Sequence, residues 1–459
     1  MFRFLLVLMV CLPGMVAAEA KVPQAQSEIT LSFAPLVRQA APAVVNIYAK
    51  RIVETRASPF SADPFFGDFF REFGQSQPRV QNSLGSGVIL SADGLIVSNY
   101  HVVGQATDIR VVLTDRREYS ATVLLGDQES DLAVLQVQDA GALPFLALRD
   151  TETVEVGELV LAIGNPFGVG QTVSSGIVSG LARSGTATGN ARGHFVQTDA
   201  PINPGNSGGA LIDVAGNLIG INTSILSRSG GSNGIGFAIP ANLVAEFVRQ
   251  AEEGQDRFQR PWAGIGGQAV DSDLAEGLGL KSPGGIVISE LHQKSPFRAA
   301  GVTPGDVIIA VNGQPVFSPP AMIYQMTVAG LGRRATVTRV RDGRVDEVIV
   351  DMIAPPDSPE RDARILTAQD VLEGLEVANV NPAVIAEYGL ANTVQGVVVT
   401  NPGPLGARVG LAAGDMILAI GRSRVAHSRD VGQMLQDAGR RISMTVQRGP
   451  QRITLSFRR

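Results

Sequence analysis

The feature that most restricts the fold is a serine walled in by glycine, Gly205-Asn206-Ser207-Gly208-Gly209, read with the order of its possible helpers. A serine hydroxyl is a weak nucleophile until a base takes its proton and donors hold the oxyanion that forms. Glycines on both sides leave room for a substrate carbonyl against the main chain, so the N–H groups of Gly205 and Ser207 are candidates for an oxyanion hole. Alone, the stretch is equally a Gly-rich turn with an incidental serine. The chain has four histidines, so the search for a base is short. His194, His292 and His427 stand in polar, Gly- or Ser-containing surroundings that read as loops. His101 instead ends the run Gly85 to Tyr100, two short apolar strands about an Asp93-Gly94 hairpin signal that would carry it rigidly. Asp131 opens the apolar run Leu132-Ala133-Val134-Leu135, where a carboxylate needs a partner such as a histidine N–H.

Order then separates two folds. Gly205 to Gly209 matches the G-x-S-x-G elbow of α/β-hydrolases, which places the acid and the histidine after the serine and a helix behind it. Here His101 and Asp131 come first, and Ala210 to Ile221 reads as strand, turn, strand. His, Asp, Ser is the order of the chymotrypsin arrangement, carried on paired β-barrels. Composition agrees. The 52 glycines and 5% aromatic residues favour β-rich domains with many tight turns, and 459 residues suggest three domains at roughly 150 residues each. A net charge of −5 without a basic block argues against nucleic acid as a partner.

Three blocks resemble those of the HtrA (Do-like) serine proteases: Ser98-Asn99-Tyr100-His101-Val102-Val103, Asp131 to Leu135, and Gly205 to Leu211. Leu161 to Gly168 and Gly234 to Pro240 are similar too, and the likeness runs from about residue 30 to the C-terminus; Tyr100 departs from it, where many relatives carry Asn. The resemblance implies a mainly β chain: a chymotrypsin-like double β-barrel protease domain (21–252) followed by two PDZ domains (260–354 and 365–459) joined by a polar linker (355–364). It also implies an ATP-independent endopeptidase of a bacterial periplasm, acting on unfolded proteins, assembled as trimers or multiples of them, and using no metal or organic cofactor. His101, Asp131 and Ser207 would be its triad.

The remaining segments fit that frame. Residues 1–20 read as a signal peptide, with Arg3, a short apolar core and small residues at Val16-Ala17-Ala18. No stretch is long enough for a transmembrane anchor. Six phenylalanines between Pro59 and Gly74 lack any periodicity, and such density must bury itself. This loop (59–80) either packs on its own domain or, as the family suggests, reaches a neighbouring subunit. Arg183 lies in a polar loop that in the family senses an activating peptide, or else in a plain surface loop. Ile225, Leu226 and Ser227 lie where trypsin-like folds line the specificity pocket, and without an acid there a small or medium aliphatic P1 residue fits best.

A repeat identifies the rest. Gly285-Ile286-Val287-Ile288-Ser289, then Gly301 to Gly313, recurs as Gly396 to Thr400, then Gly410 to Gly421, a spacing of about 110 residues that marks two copies of a domain. PDZ modules add an extended peptide to a sheet edge and hold its carboxylate with backbone N–H groups. Trp262, Ala263, Gly264 and Ile265 stand where the family has that carboxylate loop, although Trp262 also reads as core. Leu372 to Leu375 is the weaker counterpart, and assembly contacts are expected of the second copy. The competing functions are a holdase for unfolded chains and a PDZ scaffold; neither needs three triad members in order.

Overall fold

The computed structural model describes residues 32–53, 79–165, 170–184, 194–203, 205–225 and 234–459. The segment read as a signal peptide (1–20) and the Phe-rich stretch up to residue 78 lie outside them. Two units emerge, Met1–Leu181 with Val196–Val244, and Ala182–Phe195 with Ala245–Arg459.

The first barrel is built from β1 (Val44–Val53), β2 (Arg79–Ile89), β3 (Leu95–Ser98), β4 (Asp108–Val112), β5 (Glu118–Asp127) and β6 (Leu132–Val137). It closes in the order β1-β2-β3-β6-β5-β4, so no edge is left to pair with another chain. Alternation places Ile109 and Val111 of β4 inside and Asp108 and Arg110 outside. Val45, Ile47, Ile89, Ile96 and Leu135 fill the centre. The Asp93-Gly94 signal forms the β2–β3 turn: Gly94 adopts φ +91°, and its N–H donates to the Ser91 carbonyl.

A second barrel follows, with β7 (Leu159–Gly164), β8 (Thr172–Ser184), β9 (His194–Thr198), β10 (Ala210–Asp213), β11 (Leu218–Ile225) and β12 (Gly236–Pro240) in the closed order β10-β11-β12-β9-β8-β7. Val160, Val178, Val196, Leu211 and Ile219 make its core. The helix Ala241–Glu252 ends where the sequence turns to Glu253-Gly254, and Gly254 takes φ +76°.

The PDZ copies share one plan. The first sheet runs β13 (Ile265–Ala269), β14 (Ile286–Leu291), β15 (Val307–Val311), β17 (Arg334–Arg341), β18 (Arg344–Asp351), with β16 (Gln314–Pro315) beside β15. The second runs β19 (Arg364–Ile365), β20 (Glu376–Asn379), β21 (Val397–Asn401), β22 (Met416–Ile420), β24 (Arg441–Arg448), β25 (Gln451–Arg458), with β23 (Ser423–Arg424) beside β22. One helix covers the larger core of each, Pro319–Ala329 and Val431–Asp437, and a shorter one, Ser272–Gly277 or Pro382–Tyr388, packs on a smaller cluster. A buried aspartate of each repeat motif ties a loop to a strand: Asp306 accepts from Thr303 N–H and from Arg339 and Arg341, and Asp415 accepts from Ala412 N–H and Arg448. Arg364, read with the linker, already pairs with Val377.

Candidate active site

Strand β3 ends at Ser98, and the single helical turn Tyr100–Val103 puts His101 on its outer side while Val102 and Val103 enter the barrel core. The turn is held to the start of β6. Asn99 Nδ2 and the Tyr100 N–H both donate to the Asp131 carbonyl, at 2.9 and 3.2 Å. Asp131 takes φ +54°, a left-handed conformation that aspartate tolerates at modest cost and that turns its side chain back toward the histidine. His101 Nδ1 lies 2.9 and 2.8 Å from the two carboxylate oxygens, and the His101 N–H donates to Oδ1 at 3.0 Å. A carboxylate can only accept, so Nδ1 carries the proton and Nε2 is left with its lone pair.

The nucleophile loop comes from the second barrel. Gly208 adopts φ +84°, and a side chain there would run into the Ser86 carbonyl and the Ser98 hydroxyl. Its N–H donates to the Asn222 carbonyl, the Asn222 N–H returns a bond to Gly209, and Gly209 N–H bonds Asn206, so the loop is pinned to β11. The N–H groups of Gly205 and Ser207 make no hydrogen bond within the described residues. Ser207 Oγ donates to the Thr223 carbonyl at 3.0 Å; among the described residues it has no bond to His101.

Two positioning groups were missed in the sequence. Thr223 Oγ1 donates to Asp131 Oδ2 at 2.7 Å, so the carboxylate is oriented from the second barrel as well as from the His101 turn. Ser86, fully buried on β2, gives its N–H to the Ser207 carbonyl at 2.9 Å and its hydroxyl to the Gly205 carbonyl at 2.7 Å, and accepts the Asn165 N–H at 2.8 Å. A small polar residue between Gly85 and Gly87, just before the apolar end of the strand at Val88-Ile89, was the available signal. An open cleft of about 770 Å³ beside the histidine is lined by Lys50, Tyr100, His101, Gln105, Gln128 and Asp131.

The other candidates are scattered. Arg183, read as part of a polar loop, instead lies on β8, which pairing with its neighbours extends to Ser184; Ile225 ends β11, with Leu226 and Ser227 outside the described residues. His194 corrects the loop reading: it opens β9, stacks on Tyr324 of the same unit at 3.8 Å, and burial lowers its pKa to about 4. Its strand was hidden because the polar run before it carries no period. His292 and His427 do sit outside helices and strands. Trp262 is buried, its ring lying against Gly264, which takes φ +58°. Ser295 Oγ holds the Ala263 carbonyl and His292 N–H the Gly264 carbonyl, so the loop is braced from its carbonyl side while the Ala263 and Gly264 N–H groups make no hydrogen bond within the described residues.

A double β-barrel with a serine, a carboxylate-paired histidine and two appended PDZ sheets defines a trypsin-like serine endopeptidase with PDZ domains. Residues 85–221 match the trypsin-like peptidase domain, and residues 263–352 and 396–448 match PDZ domains. The chain is 37% identical to a probable periplasmic serine protease do/HhoA-like of Haemophilus influenzae, over 94% of this chain and 92% of that protein. It is 36% identical to the periplasmic serine endoprotease DegP of Escherichia coli, over 92% and 91% of the two chains. Among solved structures it is similar to the HtrA-type protease AlgW with decapeptide, at 40% identity and TM-score 0.52, over 71% of this chain and 99% of that one. The chain belongs to the DegP/HtrA-like family of periplasmic serine proteases.

Proposed function

We propose that His101, Asp131 and Ser207 form the catalytic triad of this endopeptidase and that it acts in the periplasm on unfolded or damaged proteins. Ser207 Oγ attacks the scissile carbonyl as His101 Nε2 takes its proton. The N–H groups of Gly205 and Ser207 receive the oxyanion. His101 then protonates the leaving amine, and water, deprotonated by the same nitrogen, releases the acyl group from Ser207. Asp131 holds the imidazole tautomer throughout and stabilises the imidazolium. The observation that carries the reading is the Asp131 carboxylate, gripped by His101 Nδ1, the His101 N–H and Thr223 Oγ1 at once. Small or medium aliphatic P1 residues are the proposed preference, set by Ile225, Leu226 and Ser227, and Arg183 is proposed to take part in activation.

Binding of substrate C-termini is assigned to the first PDZ module, where the N–H groups of Ala263 and Gly264 make no hydrogen bond within the described residues and can meet a carboxylate. A trimer or a multiple of trimers is the proposed assembly. The test is casein digestion by the purified chain beside Ser207→Ala, with light scattering of an aggregating client in the same buffers. Cleavage lost in the variant supports the triad, and suppression of aggregation that survives there measures holding activity separately. Equal cleavage by both proteins would refute the role of Ser207.

A further inference from the structure

The two PDZ sheets differ at the strand that a ligand would join. In the first, β13 is an edge strand, open for an added peptide. Its equivalent in the second, β20, is already covered. Strand β19 pairs with it antiparallel, Arg364 opposite Val377 and Ile365 opposite Glu376, running toward the loop Leu372–Leu375. Leu366 then takes the place of a ligand's last residue. Its N–H donates to the Leu375 carbonyl at 2.9 Å, and its carbonyl accepts the Gly374 N–H at 2.9 Å. Gly374 takes φ +80°, as Gly264 takes φ +58° in the first copy. The Leu366 side chain is buried with Leu372, Leu375, Val377, Val431 and Leu435, the last two on the covering helix. Ile365 points away and is 66% exposed, the alternation of an extended ligand. The turn after it is stapled: Thr367 N–H donates to Asp370, and Gln436 of the covering helix donates to the same carboxylate.

We propose that the second module is a C-terminal-peptide groove held by the chain's own Arg364-Ile365-Leu366 as an internal ligand. Its external ligand is a free C-terminus ending in a large aliphatic residue, which must displace that segment. A true carboxylate would strengthen the Gly374 N–H bond that the Leu366 carbonyl now makes. A tethered competitor at an effective concentration in the millimolar range weakens an external peptide by the ratio of that concentration to the segment's own dissociation constant, on the order of 100-fold or more for a micromolar binder.

The probe is the fluorescent peptide Arg-Asp-Ala-Arg-Ile-Leu, with a free carboxylate or a C-terminal amide, titrated into the full chain carrying Ser207→Ala. Leu366→Ala loosens the internal ligand and is expected to add one tight, carboxylate-dependent site per chain relative to its parent. Ile365→Cys with Glu376→Cys, opposite each other in register, pins the segment by a disulfide when oxidised and is expected to add none. With Cys11 the only native cysteine, competing pairs are few. The count is read as a difference between variant and parent, so it stands whether or not the first module binds. Because Leu366→Ala removes a buried side chain and can unfold the module, hydrogen exchange is also followed in its parent, Leu366 intact. Saturating peptide should speed exchange at residues 364–366 and slow it at Gly374, and the oxidised cysteine pair should abolish both effects. No added site in a folded Leu366→Ala chain, together with no change of exchange in its parent, overturns the proposal.

Discussion

Ser86→Ala is the sharpest test of how the oxyanion loop is held. The hydroxyl is fully buried and sits between two main-chain groups, donating to the Gly205 carbonyl and accepting the Asn165 N–H. Alanine leaves both without a partner where water has no ready access. Each orphan costs about 1–3 kcal/mol, so the barrel loses about 2–6 kcal/mol for the pair and stays folded where its stability exceeds that. The catalytic effect is separable from that loss. In the proposed mechanism Gly205 supplies one oxyanion donor through its N–H, and the Ser86 hydroxyl on its carbonyl limits how the residue can turn. Outright removal of one such donor costs about 100- to 1000-fold in kcat, and loosening it should cost about 10- to 100-fold. Ground-state binding does not use that N–H, so KM should hold within a factor of about 3. Initial rates on a labelled peptide across pH 5 to 9, beside thermal unfolding, make the measurement. The pH profile should keep its shape, because His101 and Asp131 are untouched. A variant with lowered Tm whose kcat stays within twofold of the parent would refute the reasoning.

Further outcomes follow from the same geometry. Thr223→Val keeps the shape and the carbonyl that Ser207 bonds but removes the donor to Asp131, so kcat should fall about 10- to 100-fold, with Thr223→Ser restoring most of it; equal rates in all three chains would argue against a positioning role. Gly208→Ala forces a side chain into the Ser86 carbonyl at positive φ, and should abolish casein cleavage while the PDZ modules still bind peptide, as titration of the probe would show. Asp306 is buried, which by itself would raise its pKa, but bonds from Arg341 and Thr303 N–H hold it below the usual carboxylate value. Its contribution is therefore complete above about pH 4 and lost as pH falls through the lowered folded value. Asp306→Asn should cost about 2–3 kcal/mol at neutral pH by weakening the charge-assisted bonds from Arg339 and Arg341, Arg339 keeping its pair with Asp346. In urea unfolding, the gap between variant and parent should narrow as pH falls below 4.

What the sequence disclosed and what it hid differ in physical kind. The barrel strands and the three residues proposed as the triad were legible because each stands in a local frame: glycines about Ser207, a hairpin before His101, an apolar strand after Asp131. Ser86 and Thr223 were not. Their work is done by single hydrogen bonds between residues 119 and 92 positions apart, and no local pattern encodes which distant carbonyl or carboxylate a hydroxyl will meet. His194 shows the opposite limit, since its strand is written in pairing with β12 rather than in its own alternation.

The PDZ repeat carries this distinction furthest. Gly301 to Gly313 and Gly410 to Gly421 are alike because each must form the same turn, buried aspartate and central strand, and those needs are local. The residues that set the copies apart lie before the repeat, at Trp262 to Ile265 and at Arg364 to Leu366. In the first copy, Trp262 packs against Gly264, and the Ala263 and Gly264 N–H groups make no hydrogen bond within the described residues. In the second, Leu366 fills the equivalent pocket and takes the Gly374 N–H. The difference is one of occupancy: an extended apolar segment pairs with whichever edge its tether can reach, and the linker ending at Ala363 brings it to β20. If so, deepening the occupant should tighten the closure. Ile365→Thr, exposed and equally suited to a strand, should leave the probe's affinity for the second groove unchanged, whereas Leu366→Met, still able to fill the pocket, should shift it by less than about tenfold. An affinity that tracked residue 365 rather than residue 366 would mean that edge pairing, and not the filled pocket, keeps the groove shut.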